Sequence, residues 1–360
     1  MILEILNIEA ILVGVLACLG SSLILVGSKN IHGKFSLDTD HGVQKFHHHP
    51  TPRIGGIPLM IGYVAAWFCL EGEVRAFFGL IGLASLPAFI FGLAEDLTKN
   101  VRVRTRLIAT ILSGMIFAAV TGYTITHVDV WGVDALLSLS LVAFIFTAIA
   151  IGGLANAINM IDGFHGLASG TVLFILASFA LVGWRVEDFL LVNLSVLMAA
   201  IVLGFFLVNF PFGKLFLGDA GAYLCGFFVA TLAVMLPARN PEVSPWVSLL
   251  ILGYPATETL ASIIRRHIDR QAHPGEPDSA HLHHLVHRTW AKSMAGFIAV
   301  PQSQNPCTSI CMWCLPLLTL LAAASGALDS TLALIFLGGI IVLYGASYRA
   351  LIRQDVGIKK

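Results

Sequence analysis

Long apolar stretches separated by short polar segments dominate the pattern of this chain. A helix needs roughly twenty apolar residues to cross the hydrocarbon core of a bilayer. Eleven stretches come close to that length and predict eleven transmembrane helices. These predicted spans are residues 5–28, 54–72, 76–94, 105–124, 135–154, 166–184, 188–208, 215–236, 244–264, 308–326 and 330–349. An odd number of spans places the two ends of the chain on opposite sides of the membrane.

The composition supports this interpretation. Hydrophobic residues make up 57% of the chain and charged residues only 12%, whereas soluble domains carry about 25% charged residues. So little charge cannot coat a water-exposed surface, and lipid must therefore surround most of the chain. The predicted fold is an all-α, polytopic integral membrane protein that forms a single domain over residues 1–360. The formal net charge of zero gives no sign of a nucleic-acid partner.

Basic residues are distributed unevenly between the two predicted sides. Of the 21 lysines and arginines, all but Arg75, Arg185 and Arg239 fall on one side. Cytoplasmic loops carry an excess of basic residues. The side with the excess is therefore predicted to be cytoplasmic, which places the N-terminus outside and the C-terminus in the cytoplasm.

Histidines show the same asymmetry, because all 13 except His127 lie in or beside the predicted cytoplasmic loops. A purely structural protein has no reason to sort histidine in this way. We therefore expect these loops to share a polar site. The loops cover about residues 29–53, 95–104, 155–165, 209–214 and 265–307.

The first two loops carry candidate phosphate ligands and a pair of carboxylates. In the first, Arg53 follows a histidine run and precedes Gly55 and Gly56, and its planar guanidinium suits a phosphate. Alternatively, this segment only begins a helix. In the second, Glu95 and Asp96 end an apolar helix, where two carboxylates are costly unless they bind a cation or reach water. The basic residues that follow are as readily explained as topology determinants.

The third and fourth loops are the most informative. Asn156, Asn159 and Asp162 recur every three residues, so in a helical frame they project to one side. Two carboxamides and a carboxylate suit a metal-bound phosphate or a nucleobase edge, although helix capping explains one of them. Asp219 lies just inside the next apolar stretch between Gly218 and Gly221. An ionisable residue within the membrane indicates a functional site, and Asp219 suits magnesium.

The fifth loop places His281, His283 and His284 close together, with Arg265 and Arg266 nearby. Three histidines at this spacing suggest a zinc site, but no defined carboxylate partner is evident. The neighbouring arginines favour phosphate binding instead.

In this order, the five loops resemble the polyprenyl-phosphate N-acetylhexosamine-1-phosphate transferases, a glycosyltransferase 4-like superfamily. The resemblance rests on Asn-x-x-Asn-x-x-Asp-Gly-x-x-Gly-Leu-Ala, Leu-Gly-Asp-x-Gly and His-x-His-His, and extends from about residue 45 to 284. The run from Pro277 to His284 is more similar to the branch that uses UDP-GlcNAc than to the branch that uses muramoyl-pentapeptide.

The resemblance implies transfer of an N-acetylhexosamine-1-phosphate from a UDP-sugar to undecaprenyl phosphate. UMP would leave, and the reaction would initiate cell-envelope glycan synthesis, such as that of the cell wall or O-antigen. It implies a bacterial inner-membrane enzyme that uses Mg²⁺, with Mn²⁺ as an alternative. A homodimer is one assembly compatible with such an enzyme.

The resemblance also implies roles for individual residues. The main magnesium ligand would be Asp219, with Asp162 as a second candidate, and Glu95 and Asp96 would position or deprotonate the lipid phosphate. The substrate-binding residues would be Arg53, Asn156, Asn159, Asp162, His165, His281, His283 and His284.

Two positions depart from the family pattern: Glu95 and His165 stand where the family usually has aspartate. The second departure replaces an acceptor-only anion with a group that can donate, so an altered sugar preference is expected. Two other classes remain open. A transporter predicts mid-membrane polar residues and repeat symmetry, whereas a zinc hydrolase predicts that zinc supports activity.

Overall fold

A computed structural model describes residues 6–38, 50–268, 280–298, 304–326 and 328–358. Helices dominate these residues. In chain order they are α1 (Ile8–Gly27), α2 (Lys29–Ser36), α3 (Gly56–Phe68), α4 (Gly72–Thr98), α5 (Val103–Thr121), α6 (Val133–Leu137), α7 (Ser140–Ile161), α8 (Leu167–Arg185), α9 (Phe189–Asn209), α10 (Gly218–Arg239), α11 (Pro245–Ile251), α12 (Gly253–Ile268), α13 (Leu282–Val286), α14 (Lys292–Ile298), α15 (Gln304–Met312), α16 (Cys314–Ala324) and α17 (Ser330–Ile358). A π-helical turn, His287–Ala291, joins α13 to α14.

The first loop also contains a small antiparallel strand pair, which the all-α prediction does not include. Strand β1 (Leu37–Asp38) pairs with β2 (Thr51–Pro52), with Leu37 opposite Pro52. Beyond β2, the N–H of Phe216 donates to the carbonyl of Pro52 at 2.8 Å, and the N–H of Gly55 donates to the carbonyl of Phe216 at 2.9 Å. These bonds fasten the segment that carries Arg53 to the segment that leads into α10.

Within the described residues, nine helical segments are long and apolar enough to cross a membrane. They confirm nine of the eleven predicted spans and define a polytopic all-α membrane protein. Some helices run further than the hydrophobic pattern indicates: α4 continues to Thr98 and α7 to Ile161. The predicted loops at 95–104 and 155–165 therefore begin inside helices.

The other two predicted spans are not single spanning helices. The span predicted at 54–72 is the 13-residue helix α3, about 20 Å long and shorter than the hydrocarbon core. The span predicted at 244–264 is broken into α11 and α12, which meet at an angle of 81°. Pro255 lies just after the break and lacks the N–H that would continue the ladder of hydrogen bonds. Hydropathy records the apolar content of these segments but not the break.

Helix α10 occupies the centre of the bundle. Its apolar window is 89% buried, and it packs against α4 and α7 while also contacting α3 and α8. Aromatic side chains fill the space beside it: Tyr63 stacks on Phe78 with 3.8 Å between ring centroids, and both contact Phe228 edge-on. Because α10 is enclosed on all sides, its first residues are held by neighbouring helices.

The two ends of the described chain lie at opposite ends of the bundle. Asn7 donates to Asn193 at 2.8 Å, in the first turns of α9, whereas the other end of α9 leads to the segment before Asp219. Near the C-terminus, Arg288 pairs with Asp355 at 3.0 Å, beside the histidine segment. The predicted odd number of crossings and the assignment of one end to the cytoplasm both stay predictions.

Candidate active site

The N-terminus of α10 carries the buried carboxylate of Asp219, which is only 1% exposed. Its two oxygens pair with different cations, Oδ1 with Arg53 and Oδ2 with Arg106. Arg53 comes from the segment after β2, and Arg106 from the first turn of α5. Three elements distant in sequence thus converge on one carboxylate, and the two cations and the positive end of the helix dipole offset its charge.

Asp96 binds the backbone at the same helix end. Its Oδ1 accepts from the N–H of Asp219 at 2.8 Å, and its Oδ2 accepts from the N–H of Ala220 at 2.9 Å. The Nε of Arg53 lies 3.5 Å from Oδ1. These bonds satisfy two of the N–H groups that every helix leaves unpaired at its start. Asp96 therefore contacts the backbone that carries Asp219, and the catalytic role predicted for Asp96 stays a prediction.

The approach of Asp96 depends on Gly218, which has a φ of +72°. A Cβ at this position would lie 2.6 Å from Oδ2 of Asp96 and 2.6 Å from the carbonyl oxygen of Arg53. Glycine supplies both the left-handed conformation and the missing side chain.

The adjacent residue, Glu95, makes a different contact. Glu95 is partly exposed, and its Oε2 accepts from the N–H of Val101 at 2.8 Å in the loop between α4 and α5. The adjacent pair predicted from the sequence is therefore divided, with Asp96 on the α10 terminus and Glu95 on its own loop. The catalytic role predicted for Glu95 stays a prediction.

The asparagine and aspartate residues of the third loop also separate. The side-chain amide of Asn156 donates to Thr110 at 2.8 Å and to the carbonyl of Gly152 at 2.7 Å, which fastens α7 to α5. Asn159 lies one turn later, and its carbonyl accepts from the N–H of Asp162 at 3.2 Å. Asp162 follows the helix end with φ −80° and ψ 66°. The single helical frame expected for all three residues therefore ends before Asp162.

The environment of Asp162 links it electrostatically to the Asp219 cluster. Although part of its surface reaches solvent, enough protein surrounds the carboxyl that burial raises the pKa of Asp162 to about 7. Arg53 opposes this rise and Asp219 adds to it. Two carboxylates and a guanidinium therefore share one electrostatic environment.

His165 joins three segments of the site. Its N–H donates to Oδ1 of Asn305 at 2.7 Å, its carbonyl accepts from Ser309 at 2.7 Å, and its Nδ1 lies 3.1 Å from the carbonyl oxygen of Pro211. The ring covers Gly213, where a Cβ would lie 2.3 Å from Nε2. These contacts show what the ring touches within the protein, and its predicted contact with substrate stays a prediction.

The three predicted histidines form a buried cluster. His281 stacks on His283 with 5.2 Å between ring centroids, and His283 lies 4.5 Å from His284. Phe164 contacts both His283 and His284 at 5.7 Å. Burial, reinforced by the neighbouring histidines, holds the pKa of His283 well below its usual range. These contacts bring the histidine segment against the loop that carries Asp162.

Two residues of this region were missed or undervalued from the sequence. Arg106 is as readily explained there as a topology determinant, but the structure pairs it with Asp219. Glu258, fully buried on α12, lies 3.0 Å from Nδ1 of His281. A carboxylate inside an apolar stretch was an available signal for Glu258, whereas no sequence signal connects Arg106 to Asp219.

Parts of the predicted loops lie outside the described residues. They include Lys45, the histidine run His47–His49, Arg270 and the segment Pro277–Ser279. Among the residues that the structure does describe, no three histidine, cysteine, aspartate or glutamate side chains converge as a metal-binding group.

Comparison with known proteins supports one class of enzyme. Residues 78–237 match the family described as glycosyl transferase family 4. A probable undecaprenyl-phosphate N-acetylglucosaminyl 1-phosphate transferase of Bacillus subtilis is 28% identical over 247 residues, covering 68% of this chain and 67% of the relative. An undecaprenyl-phosphate alpha-N-acetylglucosaminyl 1-phosphate transferase of Thermotoga maritima is 29% identical over 249 residues, covering 69% and 72%.

A more distant branch also matches. The phospho-N-acetylmuramoyl-pentapeptide-transferase of Bacillus subtilis is 27% identical over 227 residues, covering 60% of this chain and 68% of the relative. The family match and these relatives support the superfamily of polyprenyl-phosphate N-acetylhexosamine-1-phosphate transferases. The comparisons lend no support to the transporter or zinc hydrolase alternatives.

Proposed function

We propose that this enzyme transfers N-acetylhexosamine-1-phosphate from a UDP-sugar to undecaprenyl phosphate and releases UMP. The observation that carries the proposal is the arrangement at the α10 terminus. Asp219 lies between Arg53 and Arg106, and the Asp162 loop and histidine cluster lie close by at one end of the bundle. The names of the relatives supply the substrate classes.

The reaction brings two anions together at a membrane surface. An oxygen of the lipid phosphate attacks the β-phosphorus of the UDP-sugar, and the bond between that phosphorus and the oxygen bridging to the α-phosphorus breaks. UMP leaves with the bridging oxygen, and the sugar diphosphate stays on the lipid. The site must lie at an interface, because the polyprenyl tail cannot leave lipid while the nucleotide cannot enter it.

The donor set fits magnesium. This ion prefers oxygen ligands and usually takes one or two protein carboxylates together with substrate phosphates and water. Asp219 would be the main ligand and Asp162 the second, while Mn²⁺ could replace Mg²⁺ on the same oxygens. The bound ion would neutralise the charge that develops on the diphosphate. A site of this kind does not need three converging protein ligands.

We assign separate roles to the other residues of the site. Arg53 and Arg106 supply cations that suit phosphate oxygens, and the three histidines would bind the diphosphate. Asp96 keeps Asp219 in position through the two backbone bonds. We assign Glu95 to positioning the lipid phosphate, and Asn156, Asn159 and His165 to the nucleotide-sugar side of the site.

We further propose that the enzyme lies in the bacterial inner membrane with this site at the cytoplasmic face, where nucleotide sugars are made. The N-terminus would then be outside and the C-terminus cytoplasmic, as the positive-inside rule predicts. The product would initiate a cell-envelope glycan.

Purified enzyme in detergent micelles, supplied with undecaprenyl phosphate, Mg²⁺ and a panel of UDP-N-acetylsugars, tests the proposal. At least one UDP-sugar should release UMP, and Asp219→Asn should abolish the release while the protein still accumulates in the membrane. If no UDP-sugar yields UMP, or if Asp219→Asn keeps full activity, the proposal fails.

A further inference from the structure

The bent helix α12 carries a carboxylate that the mechanism above does not use. Glu258 is fully buried. Its Oε1 lies 3.0 Å from Nδ1 of His281 and accepts from the N–H of Leu282 at 3.4 Å. Arg265, two turns further along α12, places Nη2 at 3.8 Å from the same oxygen. One buried carboxylate thus binds both the ring and the backbone of the histidine segment.

The two bonds fix the start of α13. His281 is the residue that precedes this helix, and Leu282 is its first residue. A carboxylate at a helix start satisfies an otherwise unpaired N–H and interacts favourably with the helix dipole. Because α13 also carries His283 and His284, the position of the whole cluster depends on this contact.

Two groups contact Nδ1 of His281, and together they fix the orientation of its ring. Oε1 of Glu258 lies 3.0 Å from this nitrogen and Nη2 of Arg265 lies 3.5 Å from it. Carboxylate partners fix the ring orientation of functional histidines in this way. The ring of His283 stacks on the ring of His281. Its Nε2 lies close to Gly163, where a Cβ would be 3.3 Å away, and Gly163 is the residue that follows Asp162.

Packing alone does not explain a carboxylate at this position. The carboxyl group of Glu258 is fully buried, with Tyr344 beside it. Burying a carboxylate costs stability, and an apolar side chain of similar size is often neutral or stabilising by comparison. The cost indicates a functional role.

We infer that Glu258 is a positioning residue for sugar-phosphate transfer: it orients the ring of His281 and anchors the histidine helix beside the diphosphate. The inference rests on the proposed function and deepens it, since it names the residue through which α12 acts on the site.

The first test is Glu258→Gln, which keeps the shape and one carbonyl acceptor but removes the charge. We expect kcat for UMP release to fall by about 10–100-fold, as for other partners that orient functional histidines, while KM for the UDP-sugar changes little. Glu242→Gln, an exposed change in the turn between α10 and α11 at the other end of the bundle, is the matched control and should leave both constants unchanged.

A double-mutant cycle then separates positioning from a general loss of structure. His281→Gln alone should be slow, and adding Glu258→Gln should cause no further loss, because Glu258 acts through that ring. Glu258→Asp, which keeps the carboxylate, should retain more activity than Glu258→Gln. Thermal unfolding of each variant, measured in the same detergent, shows whether the activity losses exceed the loss of folded protein.

Three results would overturn the inference: an unchanged kcat in Glu258→Gln, an equal loss on the wild-type and His281→Gln backgrounds, or equal losses in Glu258→Asp and Glu258→Gln. Failure of the proposed function is a different result, because the wild-type enzyme itself would then release no UMP and both proposals would fall together.

Discussion

Asp96→Asn tests whether the buried carboxylate at the end of α4 holds the catalytic end of α10. The substitution keeps the size of the side chain but replaces one carboxylate oxygen with an NH₂ group. Both oxygens currently accept backbone N–H groups, from Asp219 at 2.8 Å and from Ala220 at 2.9 Å. Whichever way the new amide turns, its NH₂ faces one of these donors, and a buried N–H loses its acceptor.

The expected cost follows from these contacts. A buried donor left unsatisfied costs about 1–3 kcal/mol, and loss of a negative charge at a helix N-terminus adds about 1 kcal/mol. The free energy of unfolding should therefore fall by about 2–4 kcal/mol. Water cannot reach the unsatisfied N–H group to reduce this cost, since Asp96 is only 1% exposed. UMP release should fall as well, because the same bonds hold Asp219.

Denaturant unfolding in mixed micelles measures the free energy, and UMP release per folded molecule measures the activity. Glu95→Gln is the matched control for stability: it is adjacent in sequence and keeps a carbonyl acceptor for Val101, so it should lower the free energy of unfolding by less than about 1 kcal/mol. If Asp96→Asn is as stable and as active as the wild type, Asp96 does not hold α10. Equal losses of unfolding free energy in the two variants would likewise contradict the different contacts of the two carboxylates.

Three further outcomes are expected. Gly218→Ala should lose UMP release, because its φ of +72° disfavours a side chain and the added Cβ would lie 2.6 Å from Oδ2 of Asp96; normal activity would show that the terminus of α10 can shift freely. Arg239→Gln removes the ion-pair partner of Asp188, 2.7 Å away at the other end of the bundle. It should lower the unfolding free energy by about 3 kcal/mol and leave kcat per folded enzyme unchanged. A reduced kcat would contradict the view that this ion pair stabilises the fold without affecting the site around Asp219. Chelation with EDTA should stop UMP release and added Mg²⁺ should restore it; restoration by Zn²⁺ alone would support the hydrolase alternative.

Much of the architecture was predictable because lipid imposes a simple rule on the chain. Every spanning helix must be apolar over its full length, and nine such segments are read directly from hydropathy. The rule fails where a segment is apolar but interrupted. The break before Pro255 and the short helix α3 depend on contacts with other helices, which the apolar pattern does not record.

The sequence offers candidate residues for the site but not their geometry. Asp219 was identifiable because a carboxylate in an apolar stretch is costly, and His281, His283 and His284 because they lie close together in the chain. The sequence does not show that Asp96 binds the start of α10, since 123 positions separate the bonded residues. It also cannot show that Glu95 turns away from its neighbour. Such assignments depend on long-range packing.

The most direct test of the central claim follows the β-phosphate itself. UDP-GlcNAc labelled with ³²P at the β-phosphorus is incubated with the purified enzyme, Mg²⁺ and undecaprenyl phosphate, and the organic and aqueous phases are separated. Transfer of sugar-1-phosphate predicts that the label enters the lipid phase together with stoichiometric UMP in water, and that Asp219→Asn abolishes both. Label that leaves in UDP while the sugar alone reaches the lipid, or label that stays in water with the wild-type enzyme and every UDP-N-acetylsugar, would contradict the account.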